Sequence, residues 1–117
     1  MKTLKSIFLD LAVVAIAALA PLTVPLALAA DAEVALAIKD HRFAPEELKV
    51  PAHTKIKLII TNQDATPEEF ESYELKREKL IPANSKGIVF VGPLAPGRYE
   101  FFGEFNQKTA HGVIVAE

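Results

Sequence analysis

Glu69 and Glu71 stand one residue apart in the run Glu68-Glu69-Phe70-Glu71. In an extended chain alternate side chains project to the same side, so two carboxylates would there close on one point from adjacent positions. Glu104 and His111 lie in a polar run at residues 103–112, and His41 lies in an earlier polar stretch at residues 40–45. Carboxylate oxygen and imidazole nitrogen suit borderline divalent cations, and a site built from them requires no thiolate. The chain has no thiolate to offer, since it lacks cysteine and its only methionine is Met1. The same residues also have ordinary uses. Glu69 and Glu71 fit a solvated face balanced by Lys76, Arg77 and Lys79, while Glu104, His111 and His41 fit exposed loops. No nucleophile-and-base constellation accompanies them, so independent catalysis is not expected.

The elements that must position these residues are strands. Residues 92–117 read as turn, strand, polar loop and closing strand: Pro93, Pro96 and Gly97 mark a turn, Tyr99 and Phe101 alternate with Glu100, and Val113 and Val115 restart the alternation. Upstream, Val34, Leu36 and Ile38 share a face with alanines opposite, which predicts a strand that is central or covered on both sides. Leu48 and Val50 form a short strand ended by Pro51, and Ile56, Leu58 and Ile60 alternate until Asn62, Gln63 and Asp64 break the pattern. Residues 86–91 are apolar on both faces, which predicts another central strand, and residues 79–81 add a short one. Seven or eight strands at turn spacings of roughly ten residues indicate an all-β, antiparallel sandwich.

Residues 66–78 are the point of conflict. Thr66, Pro67 and Glu69 have the spacing of a helix start, and Phe70, Tyr73 and Leu80 roughly keep helical period, so local rules favour one short helix. As a strand, the segment would instead place Glu69, Glu71, Tyr73 and Leu75 on one face.

The first 29 residues read as a secretory signal peptide. Lys2 and Lys5 give a basic start, residues 11–20 are uncharged and apolar, and Ala27-Leu28-Ala29 is a small-residue cleavage site. An uncleaved anchor is disfavoured by Asp10, Pro21 and Pro25, and a lipoprotein signal needs a cysteine. Removing 29 of the 117 residues leaves 88, one domain at residues 30–117, and takes the net charge from −2 to −3. That balance argues against nucleic acid and anionic membrane as partners. Without a disulfide, an exported domain of this size is held by burial alone.

Asp40-x-x-Phe43-x-Pro45, Val50-Pro51-Ala52, Asn62 at a strand end, Pro82 in a turn, Pro96-Gly97-x-Tyr99 and Gly112-x-x-Val115 together resemble the cupredoxin-like domains of bacterial periplasm. Glu69-Phe70-Glu71, Gly92-Pro93-Leu94 and Phe101-Phe102-Gly103-Glu104-Phe105 are similar to the cysteine-lacking branch found beside high-affinity iron permeases. The resemblance implies a Greek-key β-sandwich and turns residues 66–78 from helix to strand. It also implies a periplasmic accessory of ferrous iron uptake, binding iron or copper through Glu69, Glu71, Glu104, His111 and His41 and working with an inner-membrane iron permease and other periplasmic uptake components. The mature chain would not insert in the membrane, and any part in iron oxidation or electron transfer would belong to the uptake system as a whole. In such folds the polar loop carrying Glu104 and His111 lies at the same end of the sandwich as Glu69 and Glu71. Where the copper-carrying members have a histidine ahead of the conserved phenylalanine this chain has Glu68 and Glu69, and Gly103 stands in place of a cysteine. A blue copper centre is therefore excluded. The alternative function is a metal-free β-sandwich interaction module.

Overall fold

The computed structural model describes residues 32–117; the expected signal peptide and its cleavage site lie outside the described residues. Among the described residues nine strands form two sheets: β1 (Ala32–Lys39), β2 (Arg42–Ala44), β3 (Glu47–Val50), β4 (Ile56–Asn62), β5 (Glu68–Ser72), β6 (Arg77–Ile81), β7 (Lys86–Val91), β8 (Gly97–Gly103) and β9 (His111–Ala116). The four-stranded sheet has the order β2-β1-β4-β7 and the five-stranded sheet β3-β9-β8-β5-β6. Pairing is antiparallel except for β1 with β4 and β3 with β9. The helix favoured by local rules at residues 66–78 does not form. Phe70 and Ser72 face inward from β5 and Ile81 from β6, an alternation that a helix would have broken.

Inward-facing residues of both sheets build one core. Leu36, Ile38, Ile56, Leu58, Ile60, Val89 and Val91 come from the first sheet, and Leu48, Val50, Phe70, Phe101 and Ile114 from the second. Phe43, Phe70 and Phe101 bridge the layers as an aromatic trio, with centroids 4.9 Å apart for Phe43 and Phe101 and 5.1 Å for Phe70 and Phe101. On β9 the buried positions are Ile114 and Ala116, leaving Val113 and Val115 on the outer side. Asn62 does more than end a strand. It is 1 % exposed, and its amide donates to the carbonyls of Thr66, Ile81 and Pro82, tying the end of β4 to the end of β6 across the sandwich. Among the described residues the two sheets share one core.

Two expectations need correction. The strand expected to be central at residues 86–91 is β7, an edge strand, and its outward Ile88 and Phe90 are exposed. The polar connection at residues 40–45 contains β2, a strand too short to show a period; Asp40 and His41, both at positive φ, form the two-residue turn into it. Tyr99 does take the corner position. Its hydroxyl donates to the Ala95 carbonyl at 2.8 Å while its ring is half-buried against the core. Tyr99→Phe should therefore cost only about 1 kcal/mol in chemical denaturation, the net value of one such bond.

Candidate metal centre

The β5–β6 hairpin builds the site. β5 sends Glu68, Phe70 and Ser72 inward, so Glu69 and Glu71 share the outer face of the five-stranded sheet. The antiparallel register sets Glu71 opposite Glu78 and Glu69 opposite Leu80. One oxygen from each of Glu69, Glu71 and Glu78 can then lie within 4.8 Å of the others. Three carboxylates so close, on a half-exposed patch, form a hard oxygen-rich set suited to a divalent cation.

Glu69 bears the strain of this proximity. Its carboxyl is pushed up from an ordinary 4.5 to about 7, first by a hydrogen bond shared with Glu78, then by loss of surrounding water, then by the charge of Glu78, and last by the hydrogen bond and charge of Glu71. The folded state therefore keeps a proton on Glu69 between pH 4.5 and 7 that the unfolded chain has released. This contribution to stability is complete below 4.5 and is lost as pH rises through about 7. The metal-free domain should melt higher near about pH 5.5 than near about 7.5, and Glu69→Gln should flatten that difference. An equal pH dependence in the variant would show that Glu69 does not carry the proton.

The other expected ligands are not gathered with these. His111 lies on the same rung as Glu78 and Glu71, but Phe102 pairs with both Glu71 and His111 and stands between them. Two strand spacings separate Glu71 from His111, roughly 10 Å, too far for one coordination sphere. His111 instead lines an open groove with Tyr73, Arg98, Glu100 and Phe102. Glu104 opens a 3-10 turn, Glu104–Asn106, one residue past the last β8 pair, and is outside the carboxylate group. His41 is a turn residue. The Asp64 carboxylate accepts from the backbone N–H groups of Asp40 and His41, its oxygen lies 3.8 Å from the His41 ring Nδ1, and Thr109 donates to the His41 carbonyl. Glu78 is the residue that reading along the chain missed. It lies in a mixed-charge run, and only the hairpin register brings it to Glu71.

Between β5 and the turn after β8 the sandwich is filled from within by Glu68. Glu68 is 1 % exposed. Its Oε1 accepts from the backbone N–H of Glu69 and of Phe105, both at 2.9 Å, and its Oε2 accepts from the Asn106 side-chain amide at 2.7 Å. Gly103 leaves the room: a Cβ there would lie 2.6 Å from Glu68 Oε2 and 2.8 Å from the Ala110 Cβ. A blue copper centre does not fit this donor set, which has no thiolate. Added cupric ion should give at most a weak tetragonal-type spectrum; an intense blue band would contradict the assignment.

A model of the cupredoxin-like domain family matches residues 11–116. An uncharacterized protein of Rickettsia prowazekii (strain Madrid E) is 51% identical over 83 residues, covering 71% of this chain and 66% of that protein, just under two thirds of its length. Among solved structures, auracyanin A, a blue copper protein from Chloroflexus aurantiacus, superposes with a TM-score of 0.62 at 13% identity over 74% of this chain and 99% of its own. Amicyanin from Paracoccus versutus gives 0.56 at 15% identity over 75% and 83%. A copper binding protein solved by NMR in its apo form gives 0.64 at 16% identity over 73% and 86%. These structural likenesses are of fold, and the match to the family model extends over nearly the whole sequence. The chain belongs to the cupredoxin-like domain family.

Proposed function

We propose that this chain is a periplasmic accessory of ferrous iron uptake that binds a divalent cation at Glu69, Glu71 and Glu78 and works with an inner-membrane iron permease. The observation that carries the metal-binding part is the convergence of these three carboxylates on one hairpin. The iron pathway and the permease rest on the likeness of the Glu69-Phe70-Glu71 and Phe101-to-Phe105 segments to proteins encoded beside such permeases. Among the described residues no helix is long and apolar enough to cross a membrane.

Calorimetric titration of residues 30–117 with ferrous, manganous and cupric ions tests the reading. Glu69→Gln and Glu78→Gln should each weaken binding by at least about tenfold, the usual scale for a lost ligand or its support. Glu104→Gln and His111→Ala should leave it unchanged. Near neutral pH the binding heat should vary with the buffer's own ionisation heat, because the Glu69 proton leaves as the cation enters. Absence of binding by all three ions would favour the metal-free interaction module. The groove beside Tyr73 and Phe102, whose ring centroids lie 5.4 Å apart with the planes tilted at 57°, offers that module a contact face.

A further inference from the structure

The outer face of the four-stranded sheet differs from the rest of the surface. Ala35 pairs with Ile59 and Ile59 with Ile88, so one rung of the outer face is entirely apolar. One neighbouring rung carries Glu33, Lys57 and Phe90; the other carries Ala44, Ala37, Thr61 and Lys86, with Lys39 paired to Arg42 beyond it. The Lys55 ammonium lies 4.9 Å from the Phe90 ring centroid. Ile88 and Phe90 are 43% and 45% exposed. An apolar centre is thus ringed by Lys39, Arg42, Lys55, Lys57 and Lys86; of the carboxylates near it among the described residues, Glu33 lies 3.5 Å from Lys57 and Asp40 stands in the turn between Lys39 and Arg42. The opposite face is acidic, with Glu47, Glu69, Glu71, Glu78 and Glu100 set against Lys49 and Arg98. A net charge of −2 conceals this separation, because it counts both faces together.

We propose that this basic, apolar-centred face docks on an anionic lipid surface. The lysine stems lie along the apolar centre and hold their ammonium groups at its rim, where headgroup phosphates neutralise them, while Ile88 and Phe90 reach the interface. The alanines on β1 and β2 keep the centre low and flat. A fluid lipid surface requires no pocket, whereas a protein partner anchors in one, and the two grooves beside Tyr73 open on the other sheet. Strand addition at β7 is obstructed, since the Arg77 Nε donates to the Phe90 carbonyl at 2.8 Å. A second copy meeting this face with the same face would oppose like charges. Docked this way, the domain turns Glu69, Glu71 and Glu78 away from the bilayer.

The test is co-sedimentation of residues 30–117 with vesicles of phosphatidylglycerol and phosphatidylcholine, or of phosphatidylcholine alone. Partitioning should favour the anionic vesicles by at least about tenfold and should fall with added salt. Lys39→Ser with Lys86→Ser should weaken it about 25-fold, since each cation contributes about fivefold near such a surface. Glu69→Gln, on the far face, should not weaken it. The chain has no tryptophan, so Phe90→Trp adds a single reporter whose emission should shift to the blue on anionic vesicles. Lys39, Lys86 and Phe90 are exposed, and melts of each variant check that the fold is kept. Equal partitioning to both vesicle types, no binding to either, an unmoved double-lysine variant or an unshifted Phe90→Trp emission would each overturn the proposal.

Discussion

Glu68→Ala should destabilise the domain by roughly 3 kcal/mol, because it removes a buried carboxylate that accepts from three part-buried donors, at about 1–3 kcal/mol for each bond. Those donors are the backbone N–H groups of Glu69 and Phe105 and the amide of Asn106. They join β5 to the 3-10 turn after β8, so the loss should fall on the connection between β8 and β9 before it reaches the rest of the core. Glu68→Gln keeps the shape and one carbonyl acceptor but turns an amide donor toward other donors, and should cost less, about 1–2 kcal/mol. Urea denaturation gives the magnitudes, and amide exchange at Phe105 gives the location. If Glu68→Ala stayed within about 1 kcal/mol of the parent, water would be replacing the carboxylate and the group would not be structural. The order of the two variants also matters, since a role confined to filling space would make alanine costly and glutamine free.

The second large effect is expected at Phe101, whose ring lies between Phe43 of one sheet and Phe70 of the other. Phe101→Ala should cost about 3–5 kcal/mol, as deletions of buried aromatic rings do. In a domain without disulfides that is a large share of the usual 5–15 kcal/mol total. Gly112 provides an independent check. It pairs with Phe101 across β8 and β9, and a Cβ there would lie 2.2 Å from the ring Cζ and 2.5 Å from Cε1. Two strands fix the backbone, so in Gly112→Ala the ring itself must move, at about 1–3 kcal/mol. With the ring gone the clash goes too, and adding Gly112→Ala to Phe101→Ala should cost little or recover some stability. Simple additivity in that double-mutant cycle would mean that Gly112 is required for something other than the ring.

What was legible along the chain followed from local rules. Alternation at Leu36, Ile38, Ile56, Leu58 and Ile60 marks strands because a pleated chain has only two sides, and Tyr99 after Pro96-Gly97 marks a corner because the turn fixes where the ring must go. The absence of cysteine excludes a blue copper centre whatever the fold. The pairing of Glu69 with Glu71 on one side likewise needs only an extended backbone. The helix start at Thr66 and Pro67 misled because its contribution is small beside the burial of Phe70, Ser72 and Ile81 between two sheets.

The remaining features are choices of partner strand, which no local pattern encodes. Alternation says that Glu68 and Glu69 lie on opposite sides, but burial of Glu68 depends on the room that Gly103 leaves beside its carboxylate and on donors from a turn 37 and 38 residues away. Glu78 enters the carboxylate group only through the register of β5 on β6. His111 is held out of it by Phe102, the residue between them on the same rung. Residues 86–91 look central from their composition, yet strand order sets them at an edge and exposes Ile88 and Phe90. The charges divide in the same way: residue counts add up to a mildly acidic chain, and only the stacking of two sheets sends the lysines to one face and the glutamates to the other, because each strand contributes alternate residues to the outside and the order of strands decides which outsides become neighbours.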